Sequence, residues 1–209
     1  PELDPLAATV VPDAVATPVH VAGRAGIGPG DRVVVLGAGG GVGIHMVQVA
    51  RLHGAEVAGF DITDGKLAEV ERHGGRPVDS TDFSRVDPAA VFPEGKPTVV
   101  VDFLGAPEGM RWAIEALASG GRLVALTTFR ERPIDLESRE MVFGELTLLG
   151  SRYARKAELA EAARLVASGA ISPVIGSVVS PGGILDLHDL LRTGGLIGRG
   201  ALDWRDEHE

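Results

Sequence analysis

Short apolar runs alternate with longer amphipathic segments along most of the chain. The run at 32–36, RVVVL, is apolar at nearly every position, as in strands that are covered on both faces of a parallel sheet. The longer segments carry apolar residues three or four positions apart, which is typical of helices. The pattern predicts strands at 32–36, 56–60, 97–105, 122–126 and 145–151, and helices at 42–53, 63–75, 107–121 and 156–169.

Signals at the ends of these segments agree with the periodicity. Thr63 is a candidate N-cap, Pro107 stands where a first helical turn begins, and several helices end in glycine. Strands that alternate with helices of about 12 residues predict βαβ units, whose right-handed crossovers place helices on both faces of a sheet. The fold class is therefore α/β, a doubly wound parallel sheet. Residues 80–96 show no clear period.

Two flanks lie outside this alternation. Residues 1–26 are predicted to be a helical lead-in. Residues 171–209 are predicted to form a strand, a short helix and a final strand. The chain therefore divides into a lead-in at 1–26, a core domain at 27–170 and a C-terminal segment at 171–209.

Composition narrows the function. The 209 residues are 44% hydrophobic, enough to bury a core, and the net charge of −9 argues against a nucleic-acid partner. The absence of cysteine excludes disulfides and thiolate-bound metal within the chain, and it suits a cytoplasmic protein. No apolar run approaches the ~20 residues of a membrane span, so no membrane partner is expected. Because the chain begins at Pro1, we expect it to be processed or cut from a longer protein.

Five glycines separate the first core strand from the first core helix: Gly37, Gly39, Gly40, Gly41 and Gly43. In a dinucleotide-binding turn, glycines permit the sharp bend, let the backbone approach a pyrophosphate, and let the helix pack on the strand. The helix N-terminus then offers free N–H groups to the phosphates. Glycines alone fit an ordinary tight strand-to-helix turn equally well.

An acidic residue follows at the expected distance. Asp61 ends the second predicted strand, eighteen positions after Gly43, where the motif places a carboxylate on the adenosine ribose. A carboxylate at this point repels a 2′-phosphate and therefore favours NAD over NADP. The alternative is that Asp61 is an acid at a helix N-terminus or a loop charge.

Four stretches, residues 12–61, 99–126, 144–175 and 189–202, resemble the cofactor domain of the medium-chain dehydrogenases/reductases, the zinc alcohol dehydrogenase superfamily. They include GAGGGVG, VVVDFLGAPEGMRW, GELTLLGSRYARKAEL and DLLRTGGLIGRGAL, in the family's order, and they cover nearly the whole chain. The resemblance implies a Rossmann fold for 27–170. It also implies hydride transfer between an alcohol or carbonyl substrate and a nicotinamide cofactor.

The resemblance assigns roles to residues around the turn and the second strand. Gly41, Val42 and Gly43 match the turn over the pyrophosphate, with Val42 near the nicotinamide. Asp61 matches the ribose-binding acid, and Lys66 matches a lysine that reaches the same ribose. A solvated helix charge is the alternative for Lys66.

Further roles lie along the rest of the chain. Leu104 matches an apolar residue on the adenine side, and Leu126 and Thr128 match positions whose backbone meets the nicotinamide carboxamide. Arg199 matches an arginine on the pyrophosphate, a task that suits the guanidinium fork, with a surface charge as the alternative.

The family's full-length proteins carry a catalytic domain before the point where this chain begins, and residues 171–209 are expected to pack toward it. That domain supplies most zinc ligands and the proton-relay hydroxyl. Asp13 stands where the family's third zinc ligand comes from, and an N-cap is its alternative role. Zinc binding would therefore require the catalytic domain. His20 and His45 are expected to be structural.

Three hypotheses of function remain. The chain is the NAD(H)-binding part of a zinc-type alcohol dehydrogenase, part of a zinc-independent quinone or enoyl reductase that uses NADPH, or a non-catalytic nucleotide-binding module. Asp13 and Asp61 together favour the first. In the family, dimers form through the last strand of the sheet, so we expect a homodimer through 145–151, where an unpaired apolar edge would otherwise invite aggregation.

Overall fold

A six-stranded parallel sheet forms the centre of the molecule. The computed structural model describes residues 3–127 and 134–205. The strands follow the order β3-β2-β1-β4-β5-β6, and every neighbouring pair is parallel. They are β1 Arg32–Leu36, β2 Glu56–Asp61, β3 Arg76–Asp79, β4 Val99–Asp102, β5 Arg122–Ala125 and β6 Thr147–Gly150.

Helices cover both faces of this sheet, which confirms the predicted doubly wound fold. Successive side chains of β1 point to opposite faces: Val33 and Val35 join one hydrophobic cluster, and Val34 and Leu36 join the other. This double burial explains why the strand is apolar at every position after Arg32. The helices are α1 Pro5–Val10, α2 Ala16–Ala25, α3 Gly43–Leu52, α4 Asp64–Arg72, α5 Pro107–Ala116, α6 Ser138–Gly144, α7 Lys156–Ala167 and α8 Ile184–Arg192.

Two elements of the core were not predicted from the sequence. β3 contains Pro77 and lies at the edge of the sheet, where a missing N–H is tolerated. α6 buries none of its residues, all of which are described, so it lacks an apolar stripe. Within 80–96, which is fully described, a short 3-10 turn at Phe83–Arg85 is the only regular element.

The lead-in is helical, as predicted. α1 continues through a π-helical turn at Val11–Val15 into α2, and the segment packs against α3 and α7. By length and composition this 21-residue stretch is long and apolar enough to cross a membrane, with a mean hydropathy of 1.2 over an 18-residue window. The expectation that no apolar run approaches that length was therefore wrong, because the mean hydropathy stays high despite the polar residues within the stretch. Half of the stretch is buried inside the protein.

The C-terminal segment forms the predicted strand, helix and strand. β7 Ile175–Val179 and β8 Arg199–Leu202 pair in parallel as a separate two-stranded sheet, with α8 between them in the chain. This sheet is joined to the core at the glycine turn, where the N–H of Gly198 donates to the carbonyl of Gly39 at 3.0 Å. The division of the chain at 27 and 171 stays a prediction.

Candidate functional site

A cavity of about 560 Å³ opens at the carboxyl ends of the parallel strands. It lies where the strand order reverses, between β1 and β4, which is where open α/β sheets bind ligands. Its walls come from the ends of β1, β2, β3, β4, β5 and β6 and from both flanks of the chain. The lining residues used below are Asp13, Thr17, Gly37, Gly40, Gly41, Val42, Gly43, Asp61, Lys66, Phe103, Leu104, Leu126, Thr127, Ser151, Arg152 and Tyr153.

The glycine turn forms one wall of this cavity, and two of its glycines are sterically required. Gly37 has φ +77°, a conformation that side chains rarely adopt, and its N–H donates to the carbonyl of Phe60 at 2.9 Å. A Cβ on Gly43 would lie 2.1 Å from the carbonyl oxygen of Gly37. The start of α3 therefore touches the end of β1 backbone to backbone, with no room for a side chain.

The carboxylate of Asp61 lies against this turn. Asp61 is buried, and its two oxygens accept from the N–H groups of Gly39 and Ile62, both at 2.9 Å. Lys66 Nζ is 3.7 Å from the same carboxylate, and its Cβ would lie 2.3 Å from a Cβ on Gly39. Asp61 and Lys66 line the cavity, whereas Gly39 lies behind it. The ribose role of both side chains stays a prediction.

A second buried carboxylate fixes the loop after β4. Asp102 accepts from the N–H groups of Leu104 and Gly105 at 2.8 and 3.1 Å, and burial raises its pKa. These bonds hold Leu104 over Gly37, where a Cβ would lie 2.8 Å from Leu104 Cδ2. Leu104 thus lines the cavity on the side away from β5 and β6.

The opposite side of the cavity follows β5 and β6. Leu126 lines it, and the hydroxyl of Thr127 donates to the carbonyl of Phe103 at 2.8 Å. Thr128 lies outside the described residues. Ser151 and Tyr153 also line this side, and the Ser151 hydroxyl has no hydrogen-bond partner within the described chain.

Sequence reasoning missed this contribution from the end of β6. The signal was present, because the carboxyl ends of parallel strands share one edge of the sheet and the strand at 145–151 was predicted. The resemblance to the family covers Arg152 and Tyr153 but does not place them at the cavity. The guanidinium carbon of Arg152 lies 5.0 Å from the Tyr153 ring centroid.

His45 ties the turn to the C-terminal segment, a structural role as expected. Its Nδ1–H donates to the carbonyl of Gly41 at 2.8 Å, and its Nε2 accepts from the N–H of Val174 at 3.1 Å. These two partners define a neutral ring. Burial is the main cause that lowers its pKa from 6.5 to about 4, and the charges of Arg199 and His73 lower it further.

Asp13 and Arg199, the proposed metal ligand and phosphate ligand, form an ion pair between Asp13 Oδ2 and Arg199 Nη2. Asp13 lies within the π-helical turn, so it is not an N-cap, and Thr17 Oγ1 donates to its other oxygen at 3.3 Å. Among residues 3–127 and 134–205, no group of three or more His, Cys, Asp or Glu side chains is placed to hold a metal ion. The described residues therefore do not form a zinc site by themselves. His20 pairs instead with Glu158 at 3.0 Å.

Strand order, glycine turn and cavity together define a Rossmann-type α/β protein. A family model described as "Zinc-binding dehydrogenase" matches residues 41–168. The chain belongs to this family, the C-terminal cofactor-domain part of the medium-chain dehydrogenase/reductase superfamily.

Individual relatives agree with the family. Acryloyl-coenzyme A reductase of Sulfurisphaera tokodaii is 29% identical over 83% of this chain and 51% of its own length. L-galactonate-5-dehydrogenase of Escherichia coli is 28% identical over 81% of this chain and 50% of its own length. The crystal structure of AibC has a TM-score of 0.85 and 27% identity, covering 96% of this chain and 57% of that one. The chain thus spans about half the length of the curated relatives it matches.

The backbone contact at Gly43 gives a first prediction. We expect Gly43→Ala to destabilise the protein by about 2–3 kcal/mol, because the new Cβ would meet the carbonyl of Gly37 and neither backbone can move away. The measurement is the free energy of unfolding from urea titration.

Gly23→Ala is the matched control. Gly23 lies in α2 with nothing within 4 Å of an added Cβ, so alanine there is expected to be neutral or stabilising by up to about 1 kcal/mol. Equal effects of the two substitutions would show that the turn tolerates a side chain.

His45 gives a prediction for pH. Its folded pKa is about 4, against 6.5 when unfolded, so the unfolded chain binds a proton first as the pH falls. Stability from this residue is complete above pH 6.5 and is lost between 6.5 and about 4, with a limiting slope of about 1.4 kcal/mol per pH unit. We expect His45→Gln to flatten the free energy of unfolding across that window.

His53→Gln is the control, because His53 is exposed. It is expected to leave the pH profile unchanged. A wild-type profile that is already flat between pH 6.5 and 4 would contradict the buried, neutral state of His45.

Proposed function

We propose that this chain is the NAD(H)-binding part of an oxidoreductase that transfers hydride between an alcohol or carbonyl substrate and nicotinamide. The observation that carries the proposal is the placement of the Asp61 carboxylate beside the glycine turn, inside the cavity at the switch point. The turn also lines the cavity with Gly40, Gly41 and Gly43, which have no side chains and leave their backbone open to a diphosphate.

Each wall of the cavity has a task in this proposal. The N–H groups at the start of α3 and the guanidinium of Arg199 hold the diphosphate, and Asp61 accepts from the adenosine ribose. Leu104 covers the adenine side, and Val42 and Leu126 position the nicotinamide, a role also proposed for Thr128, which lies outside the described residues. The bound cofactor supplies the hydride chemistry, while the protein orients it.

The described residues alone do not support a zinc site. Asp13 is one carboxylate, already paired with Arg199, and a zinc site needs three or four protein ligands. Zinc binding is therefore proposed only together with a catalytic domain, as in full-length members of the family.

The substrate class has a second candidate, the reduction of an enoyl thioester. The 29% identical relative is named for acryloyl-coenzyme A and the 28% identical one for L-galactonate, so relatives at similar distance act on different substrates. Assaying the full-length protein with alcohols and with enoyl thioesters distinguishes the two. A non-catalytic nucleotide-binding module is the remaining alternative. A cytoplasmic location stays a prediction.

Cofactor choice tests the proposal. We expect the chain to bind NADH at least about tenfold more tightly than NADPH, because a 2′-phosphate would meet the buried Asp61 carboxylate, and about 1.4 kcal/mol of repulsion gives that ratio. Asp61→Asn should bring the affinities for NADH and NADPH closer to each other. The measurement is a fluorescence titration with both reduced nucleotides.

Asp64→Asn provides the control for net charge. Asp64 is exposed at the start of α4 and does not line the cavity, so the ratio should not change. Equal affinity of the wild type for both nucleotides would contradict the role of Asp61. No binding of either would contradict the cofactor site itself.

A homodimer through β6 is the proposed assembly. β6 pairs only with β5 among the described strands, so its outer edge is unpaired, and Leu148, Val142 and Phe143 are exposed beside it. We expect the mass in solution to be twice the 21.7 kDa of the chain, and Leu148→Lys to shift it toward the monomer. Light scattering during size-exclusion chromatography measures both.

Leu185→Lys is the matched control for this substitution. Leu185 is an exposed leucine on α8, away from β6, and its replacement should leave the mass unchanged. A monomeric wild type, or a Leu148→Lys protein of unchanged mass, would exclude this interface.

A further inference from the structure

The ion pair between Asp13 and Arg199 joins two distant parts of the chain at the edge of the cavity. Asp13 belongs to the lead-in and lines the cavity, and Arg199 is the first residue of β8. Sequence reasoning gave these residues separate tasks, one toward a metal and one toward the cofactor diphosphate. In the structure each is the partner of the other.

The backbone of Arg199 is fixed at the glycine turn, whereas its side chain is the movable part. Its N–H donates to the carbonyl of Val174 at 2.9 Å, and the preceding Gly198 donates to Gly39 at 3.0 Å. A Cβ on Gly41 would lie 2.6 Å from Arg199 Cδ and 2.7 Å from its Nε. The stem of the side chain therefore lies across Gly41, and rotation about its outer bonds decides where the guanidinium points.

In this structure the guanidinium of Arg199 points at the carboxylate of Asp13. Because the Asp13 side chain is 56% exposed and that of Arg199 36%, the pair is a weak surface bond that a competing anion can replace. A diphosphate on the turn carries two charges and matches the guanidinium fork better than one partly solvated carboxylate. Asp13 and the diphosphate thus compete for the same cation.

We propose that Asp13 is a positioning residue of the cofactor site, which holds the Arg199 guanidinium beside the turn until a diphosphate takes it. The proposal rests on the cofactor binding proposed above. Binding of a dinucleotide then breaks the ion pair and frees the Asp13 carboxylate. Coupling of this kind is reciprocal, so neutralising Asp13 must raise the affinity for diphosphate-containing ligands.

The test compares ligands with and without a diphosphate on the wild type, two single variants and their double variant. We expect Asp13→Asn to bind NADH and ADP about two- to fivefold more tightly than the wild type, the factor that corresponds to an exposed ion pair. Adenosine, which has the same base and ribose but no phosphate, should bind equally to both. Arg199→Gln should weaken the binding of NADH and ADP. Adding Asp13→Asn to Arg199→Gln should not raise the affinity for either nucleotide. Isothermal titration calorimetry measures all affinities.

Matched variants separate this role from a structural one. Asp13→Glu keeps a carboxylate and should resemble the wild type, and Asp186→Asn removes one exposed charge of α8 and should change nothing. Asp13→Ser is measured beside Asp13→Asn, so that a folding defect of one replacement does not decide the result.

The outcomes are distinct. If the wild type binds NADH but neither Asp13 variant binds NADH or ADP more tightly, the positioning role is wrong. A gain that extends to adenosine, or that persists in the Arg199→Gln background, also overturns it. If the wild type binds no nucleotide, the proposed cofactor site fails instead.

Discussion

The contact between the end of β1 and the start of α3 is the constraint on which the rest of the site depends. Gly43 lies so close to the carbonyl of Gly37 that no side chain fits between them, and this contact sets the angle at which α3 leaves the sheet. The residues at the start of α3, Val42 and Gly43, line the cavity. The contact also brings Gly39 within reach of Asp61 and of Gly198, so that one turn organises the second strand and the C-terminal sheet together.

The charges around this turn are held mainly by backbone groups. Asp61 is buried, which would be costly for a lone carboxylate, but two N–H groups satisfy its oxygens and Lys66 lies nearby. His45 stays neutral mainly because it is buried, and a carbonyl and an N–H use its two ring nitrogens in that neutral form. Arg199 alone has an exposed partner, and it is therefore the charge that a ligand can recruit at the least cost.

The sequence predicted β1, β2 and β4 well because these strands are buried on both faces. A run such as RVVVL that is followed by a helix indicates a buried parallel strand. The dinucleotide-binding motif sets the spacing between the glycines and Asp61. β3 and α6 escaped because an edge strand with a proline and a helix without buried residues carry no apolar period. The spacing also predicted that Asp61 lies beside the turn, because Asp61 ends the strand next to β1.

Contacts between residues far apart in the chain were beyond such reasoning. Nothing in the local sequence says that Asp13 meets Arg199, 186 positions away, or that His45 reaches Val174. These pairs depend on how the lead-in and the C-terminal sheet close over the core, which is decided by packing. The end of β6 is an intermediate case, because topology predicts its position at the cavity but not which side chains face inward.

A site built largely from backbone explains how the fold persists while the sequence diverges. AibC shares 27% of residues with this chain at a TM-score of 0.85. Most contacts at the turn are made by backbone carbonyls and N–H groups where side chains are missing. These contacts require glycine at a few positions and little else. In the proposed function, specificity is then left to a small set of side chains, above all Asp61 for the ribose and Arg199 with Asp13 for the phosphates. Under this proposal, changes in Arg199 and Asp13 alter the choice of ligand through partly exposed side chains, whereas a change in Asp61 also removes the partner of the Gly39 N–H.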